Sequence, residues 1–291
     1  MGEQLLQLLF SGLTLGSIYS IIALILVITY KVTGILNLAL GEFLVMGALL
    51  TVSFKSMGMP LIAASLLAII IVALLAGVLE RLTVNKARGA SSLTMLIITI
   101  GISISLRGLA LLIWGTDTYS LPSFTASGPI MAGGAALNPQ SIWVFLLAAA
   151  TLICVNTFFG RTYWGKAVQA SVLSPIGAQL QGINLSTISL AAFVFSGALA
   201  TAAGICIGPV TMVTYDMGFM LGVKGFIAAT IGGLSSISGA VLGGLILGLL
   251  EAYSSGLISS GLNDAISIVI LLAVLLIRPE GILGAISERK I

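Results

Sequence analysis

Histidine is absent from the 291 residues, and charge is scarce: Lys, Arg, Asp and Glu together make up 7% of the chain. Without imidazole, His-based general acid–base chemistry, Ser-His-Asp triads and His-ligated metals are excluded. The two cysteines, Cys154 and Cys206, sit inside apolar runs at no metal-like spacing, which predicts small core hydrophobes rather than a disulfide or a ligand pair. A soluble domain carries about 25% charged residues to cover its surface. So few charges cannot solvate a chain that is 58% apolar, so the solvent for most of its surface is lipid. The net charge of +3 does not point to nucleic acid, because the basic residues are scattered at the edges of apolar runs, where a membrane protein keeps them. Met1–Leu9 carries Glu3 and no Lys or Arg, so no secretory leader is expected there.

A spanning helix needs about 20 mainly apolar residues. Such runs lie at Leu5–Tyr30, Ile35–Phe54, Pro60–Leu79, Leu93–Trp114, Ser141–Phe159 and Ile188–Val210. A Gly-rich stretch, Gly218–Leu257, and a last run, Leu262–Ile277, follow. The runs are continuous rather than alternating, which selects helices over a β-barrel. The expectation is an all-α integral membrane protein of about 8–9 transmembrane segments, a single domain over residues 1–291. Residues 218–257 form either two crossings or a crossing and a re-entrant half-helix. Arg81, Lys86 and Arg88 in one loop, and Arg161 and Lys166 in another, place both on the cytoplasmic side. Residues 115–140 hold Asp117 and no base, which places them outside. Arg278, Arg289 and Lys290 against Glu280 and Glu288 draw the tail inward.

There are 35 glycines, and several fall four apart: Gly12/Gly16, Gly204/Gly208, Gly239/Gly243 and Gly244/Gly248. Small residues at that spacing let helix backbones approach closely, where lipid supplies no hydrophobic drive between helices. Smooth Gly faces also suit sliding, and Gly232-Gly233 loosens a helix where a gate would break.

Ionisable groups at membrane depth are costly and therefore functional candidates. Asn37, Gly41 and Glu42 lie together in Gly34-Ile-Leu-Asn37-Leu-Ala-Leu-Gly41-Glu42, either as an interface anchor or as part of a pathway. Glu251 shares a helix face with Gly244 and Gly248, so it faces a neighbouring helix or a polar path. Arg107, seven residues before Trp114, is expected to snorkel outward toward Asp117. Lys224 and Asp264 are expected in solvent at the outer surface, and Glu80-Arg81 as a boundary anchor. The pathway and gate candidates are thus Asn37, Gly41, Glu42, Gly232, Gly233, Gly239, Gly243, Gly244 and Glu251. No catalytic and no metal residue is expected.

Gly160-Arg-Thr-Tyr-Trp-Gly165-Lys166-Ala167 fits a phosphate loop up to its last position, where Ala167 stands in place of the Ser/Thr that would hold Mg²⁺. Tyr163 and Trp164 are bulky where backbone amides should cradle phosphate. Any ATP-driven process must borrow its ATPase. Residues 160–187 are the longest polar stretch on the predicted inner side. Lys166–Leu173 reads as a short amphipathic helix, and a second begins at Pro175 and runs over Ile176–Asn184 with Gly182 as its C-cap. Val168, Val172 and Leu173 would make an apolar docking face, the alternative being a helix lying on lipid.

These stretches are similar to the permease subunits of bacterial branched-chain amino acid ABC importers, the LivH-type permeases. The likeness rests on Ser11–Tyr19, Val32–Phe43, Glu80-Arg81 with Ala87-Arg-Gly-Ala90, Thr99-Ile-Gly-Ile-Ser-Ile with Leu121-Pro-Ser, and Gly182-Ile-Asn184. It continues through Lys224–Gly244 and Asp264–Gly281, so it runs nearly end to end. Leu40 stands where the family commonly has His, and Val172-Leu173-Ser174-Pro175 where it commonly has an acidic pair. The resemblance implies a heteromeric importer in the bacterial inner membrane. This chain and a second homologous permease would form the pore, two ATP-binding cassette subunits would bind ATP below, and a periplasmic solute-binding protein would deliver the solute. Residues 160–187 would be the coupling segment, with Arg161, Gly165, Lys166, Val168, Val172, Leu173, Gly182 and Asn184 toward the ATPase. The permease itself would hold no cofactor. The solute class extends from branched-chain amino acids to urea and short amides in related permeases. An ion- or proton-coupled carrier using Glu42, Arg107 and Glu251 is the alternative.

Overall fold

The computed structural model describes residues 2–87, 89–125 and 128–284. Arg88, Glu288, Arg289 and Lys290, which entered the loop charges above, lie outside the described residues. In chain order the helices are α1 (Gly2–Thr33), α2 (Leu40–Ser56), α3 (Leu61–Leu79), α4 (Ser92–Trp114), α5 (Pro139–Arg161), α6 (Tyr163–Leu173), α7 (Pro175–Leu180), α8 (Leu185–Ile207), α9 (Met217–Gly232), α10 (Ile237–Leu257) and α11 (Asn263–Ile277). A π-helical turn, Glu80–Val84, extends α3, and strands β1 (Ile130–Ala132) and β2 (Ala135–Leu137) form a hairpin. Helices α1, α3 with its extension, α4, α5, α8 and α10 are long and apolar enough to cross a membrane. Helices α9 and α11 are shorter apolar helices, and α2 has 17 residues. Six helices long enough to cross, with two shorter apolar helices beside them among the described residues, make the chain a multi-pass helical membrane protein.

The hairpin has no counterpart in the sequence reading. Its two-residue loop is Gly133-Gly134, with φ of 59° and 84°, the mirror-image turn that matches strand twist. The side-chain amide of Gln7 on α1 pairs with both backbone groups of Ala136, at 2.8 and 3.1 Å.

The chain divides into two compact units: residues 1–27, 124–152 and 224–291, and residues 28–123 and 153–223. Helices α1, α5 and α9 each contribute residues to both.

In the first unit, α1 packs on α10 through glycine. A Cβ at Gly248 would collide with the backbone of Gly16, one at Gly244 with Ser20, and one at Gly16 with Leu245. The Ser20 hydroxyl lies 2.8 Å from the Val241 carbonyl. Dispersion between backbones replaces the absent hydrophobic drive. The Gly-rich stretch resolves into α9 and α10, joined by a turn at 233–236 in which Gly233 takes φ +104°. Gly232 faces Gly239, Gly243 faces Ala228, and Gly233 lies against Gly281 and Gly284 of the segment after α11. The Ile282 and Leu283 amides donate to the Ile231 and Gly232 carbonyls at 2.8 and 3.0 Å, which ties that segment beneath the turn.

In the second unit, α2, α3 and α8 form the packed centre. Gly47 meets Thr201, Gly204 meets the Leu44 backbone, and Gly197 meets Ala76 and Val72. Cys206 is buried, as expected, whereas Cys154 is exposed on α5. An apolar bundle surface facing lipid accepts a thiol as readily as a core does.

Candidate functional site

The connection between α1 and α2, residues 34–39, turns Ile35, Asn37 and Ala39 into the interior of the second unit and leaves Gly34 exposed. Ile35 packs with Met95 of α4 and Phe193 of α8, the latter eight residues, about 12 Å, into its helix. Non-helical backbone at such depth survives only where protein satisfies its polar groups. The Thr99 hydroxyl of α4 lies 3.1 Å from the Leu36 carbonyl and 3.5 Å from the Leu38 amide. Asn37 Oδ1 accepts from the Ala39 amide at 3.0 Å, and Gly34 turns the chain with φ +70°. Asn37 is buried, and its Nδ2 has no hydrogen-bond partner among the described residues.

Glu42 follows in the first turn of α2 and is buried. Ser103 of α4 donates to its carboxylate at 2.9 Å, and Arg107, one turn further along α4, lies 3.4 Å from the same oxygen. The Arg107 guanidinium also covers the ring of Phe219 on α9, 5.2 Å from its centroid. The expected snorkelling toward Asp117 is thereby corrected: Arg107 turns inward, because a buried carboxylate without a cation costs more than the lost solvation of an arginine stem. Gly41 seats the start of α9 against the start of α2, since a Cβ there would strike Gly218. Asn37, Gly41 and Glu42 are therefore brought together with Ser103, Arg107 and Phe219. Sequence reading missed Ser103 and Phe219. Ser103 stands one turn before Arg107, a spacing that signals a shared face.

The first unit holds its own polar cluster. Lys224 of α9 pairs with the buried carboxylate of Glu251 on α10 and, at 3.0 Å, with Asp264 of α11. The Tyr19 ring of α1 lies 5.7 Å from the ammonium. Lys224 and Asp264 were expected in solvent; Asp264 is exposed, whereas the lysine is drawn in by Glu251, which would otherwise be buried unpaired. Gly232, Gly233, Gly239, Gly243 and Gly244 all sit at backbone-to-backbone contacts, as described above. Glu80 is likewise no boundary anchor: it is fully buried in the π-helical turn and accepts from the Ser189 hydroxyl at 2.7 Å.

Residues 160–187 form an elbow. Gly160 and Arg161 close α5, so the phosphate-loop look-alike lies on two helix ends with no preceding strand. Thr162 caps α6, accepting from the Gly165 amide at 3.0 Å, and Ser174 caps α7, accepting from Gly177 at 3.1 Å. Gly165 lies directly on the Phe158 backbone, and Gln169 donates to the Phe159 carbonyl at 3.1 Å, which fixes α6 to the end of α5. The second helix stops at Leu180, as the expected glycine stop requires: Gly182 turns left-handed at φ +79°, and Asn184 already caps α8. Val168 is buried against the chain itself, which corrects its place on a docking face. Val172, Leu173, Ile176 and Leu180 point outward, Leu173 with 87% and Leu180 with 84% of their surface exposed. Arg161, Lys166, Gly182 and Asn184 are exposed along the same elbow.

Comparison with known proteins agrees with the resemblance drawn from the motifs. The family model for the permease component of the branched-chain amino acid transport system matches residues 8–277. The chain is 33% identical over 310 aligned positions to the high-affinity branched-chain amino acid transport system permease protein LivH of Escherichia coli, covering the whole of both chains. It is 31% identical over 300 positions to the corresponding protein BraD of Pseudomonas aeruginosa, covering 98% of each. A probable branched-chain amino acid transport permease of Methanocaldococcus jannaschii is 27% identical over 303 positions, covering 98% of this chain and 93% of that one. The chain belongs to the family of branched-chain amino acid transport system permease components.

Proposed function

We propose that this chain is one of two different permeases of an ATP-driven importer in the bacterial inner membrane, and that it carries branched-chain amino acids. Two ATP-binding cassette subunits dock on the elbow from the cytoplasm and bind the ATP; a periplasmic binding protein delivers the solute. No cofactor is held by the permease. The observation that carries this reading is the elbow itself: two consecutive capped helices, fixed by Gly165 to α5 and by Asn184 to α8, present Leu173, Ile176 and Leu180 outward. Such apolar tips on a short, stiff element suit insertion into a groove of a partner.

The mechanism follows from the attachments. Movement of the elbow pulls on the ends of α5 and α8. Helix α8 is packed through glycine against α2 and α3, and the start of α2, just after Asn37, carries Gly41 and Glu42 against Gly218 in the first turn of α9. A shift of α8 therefore re-seats the interrupted α1–α2 connection, where the backbone is held by a few side chains rather than by a helical ladder. Alternating access then needs no tight solute site in the spans, because selection resides in the binding protein. A proton-coupled carrier has less support, since Glu42 and Glu251 are each held by a cation.

The test is Leu173→Glu and Leu180→Glu in the assembled transporter. Each is expected to lower ATPase stimulation by the loaded binding protein more than tenfold while the permease still inserts. Unchanged stimulation in both would overturn docking at the elbow. Leucine uptake in proteoliposomes, against urea and short amides as competitors, tests the solute class.

A further inference from the structure

Two adjoining cavities open at the basic end of the second unit, where α6 lies beneath α1, α5 and α8. The larger, about 280 Å³, is walled entirely by apolar side chains, among them Ile28, Val32, Phe159, Trp164, Val168 and Ala192. The smaller, about 250 Å³, shares Phe159 and Val168 with it and is lined by Lys31 and Gln169 as well as by Val172 and Leu173. An apolar space of this kind excludes water and takes hydrocarbon. The spans reach it within about 15 Å of their ends: Val155 is six residues before the end of α5, and Phe195 ten residues into α8.

The charge around the second cavity has one sign. Residues 153–215 contain no Asp or Glu, and neither do residues 28–41, so the stretches that line the two cavities offer only Lys31, Arg161 and Lys166 as charges. Lys31 forms no ion pair among the described residues. Basic pockets between spanning helices on the cytoplasmic side are the usual seat of anionic lipid headgroups, and Trp164 sits where an interfacial aromatic belongs.

We propose that these two cavities hold one anionic phospholipid, an acyl chain in the larger and the headgroup phosphate against Lys31 in the smaller. The lipid fills the space between α6 and the three spans above it, so it stiffens the seat of the elbow. That consequence rests on the elbow as the coupling element, whereas the binding does not.

The experiment reads the binding directly. A full-length Trp114→Phe/Trp143→Phe chain, with Trp164 as its remaining tryptophan, is reconstituted with brominated-chain phosphatidylglycerol or brominated-chain phosphatidylcholine at equal mole fraction. Quenching is expected to favour phosphatidylglycerol, with an apparent affinity on the order of fivefold higher, the worth of one cation near a headgroup. Lys31→Gln is expected to remove the preference, and Ala192→Phe, which fills the cavity, to reduce quenching to that of bulk lipid. Native mass spectrometry of the unaltered chain is the second reading, with retained phosphatidylglycerol that is lost in Lys31→Gln. Equal quenching by the two lipids, or a preference unchanged by Lys31→Gln, overturns the proposal. Stimulated ATPase activity of the same variants separates binding from coupling: a lipid preference without any effect on activity leaves the site and removes its role in the elbow.

Discussion

Arg107 of α4 and Glu42 of α2, 65 residues apart in sequence, meet 3.4 Å apart inside the second unit. Neither can be read alone. Glu42 has 1% of its side chain exposed and Arg107 32%, so the carboxylate depends on the arginine far more than the arginine on it.

Removing Arg107 should therefore cost more than removing both partners. Arg107→Gln leaves a buried charge matched only by Ser103, a loss of about 3 kcal/mol, at the low end for a broken buried pair because the arginine is partly solvated. Glu42→Gln/Arg107→Gln should regain more than half of it. Thermal unfolding of the purified permease with its partners measures both. A double variant as unstable as the sum of the singles would show that the two residues do not act as a pair.

Thr99 holds the interrupted segment. Thr99→Val keeps the shape but leaves the Leu36 carbonyl unpartnered within the bundle, at a cost of about 1–2 kcal/mol. Thr99→Ser keeps the hydroxyl and should retain most of the stability and uptake. Identical melting and uptake for the Val and Ser variants would assign Thr99 to packing alone.

Much of this was legible beforehand, and the failures share one cause. Long apolar runs marked the helices, and Pro175 and Gly182 placed the second elbow helix, because a proline start and a left-handed glycine act locally; the caps Thr162 and Ser174 went unread. The reading went astray at Arg107, Lys224 and Glu80, each treated by its distance to a membrane edge. Pairing across helices decides those positions, and single-chain periodicity does not contain it. A charge tally would have helped: Glu42 and Glu251 each require a cation nearby, and Arg107 and Lys224 are among the few cations inside apolar runs. The hairpin at 130–137 escaped because its strands are three residues each, too short for alternation to show.

The Lys224 cluster should respond in a fixed order. Lys224→Met strands Glu251, which is 4% exposed, and should be the most damaging single change there, by about 3 kcal/mol. Asp264→Asn removes a partner that is 55% exposed and should cost no more than about 0.5 kcal/mol. The order is read from melting temperatures of the three variants Lys224→Met, Glu251→Gln and Asp264→Asn. If Asp264→Asn proves as harmful as Lys224→Met, the anchor of α11 rather than the burial of Glu251 sets the stability of the cluster.

Glycine is tested most sharply by adding one methyl group at two positions that look alike in sequence. Gly248 and Gly101 are both mid-helix glycines, and alanine is the better helix former at each, by about 1 kcal/mol. At Gly101 a Cβ meets nothing within 4 Å, so Gly101→Ala should leave stability unchanged or raise it slightly. At Gly248 the same atom lands on the backbone of Gly16 and the Gly12 carbonyl, which no rotamer can relieve. Overpacking of that kind costs about 1–3 kcal/mol, and more where backbone must yield. Gly248→Ala should thus lower both the melting temperature and the yield of inserted protein, and a compensating change on α1 cannot rescue it, because Gly16 has no side chain to trim. Equal behaviour of the two variants would mean that α1 and α10 separate easily, and that their glycines serve motion rather than close contact.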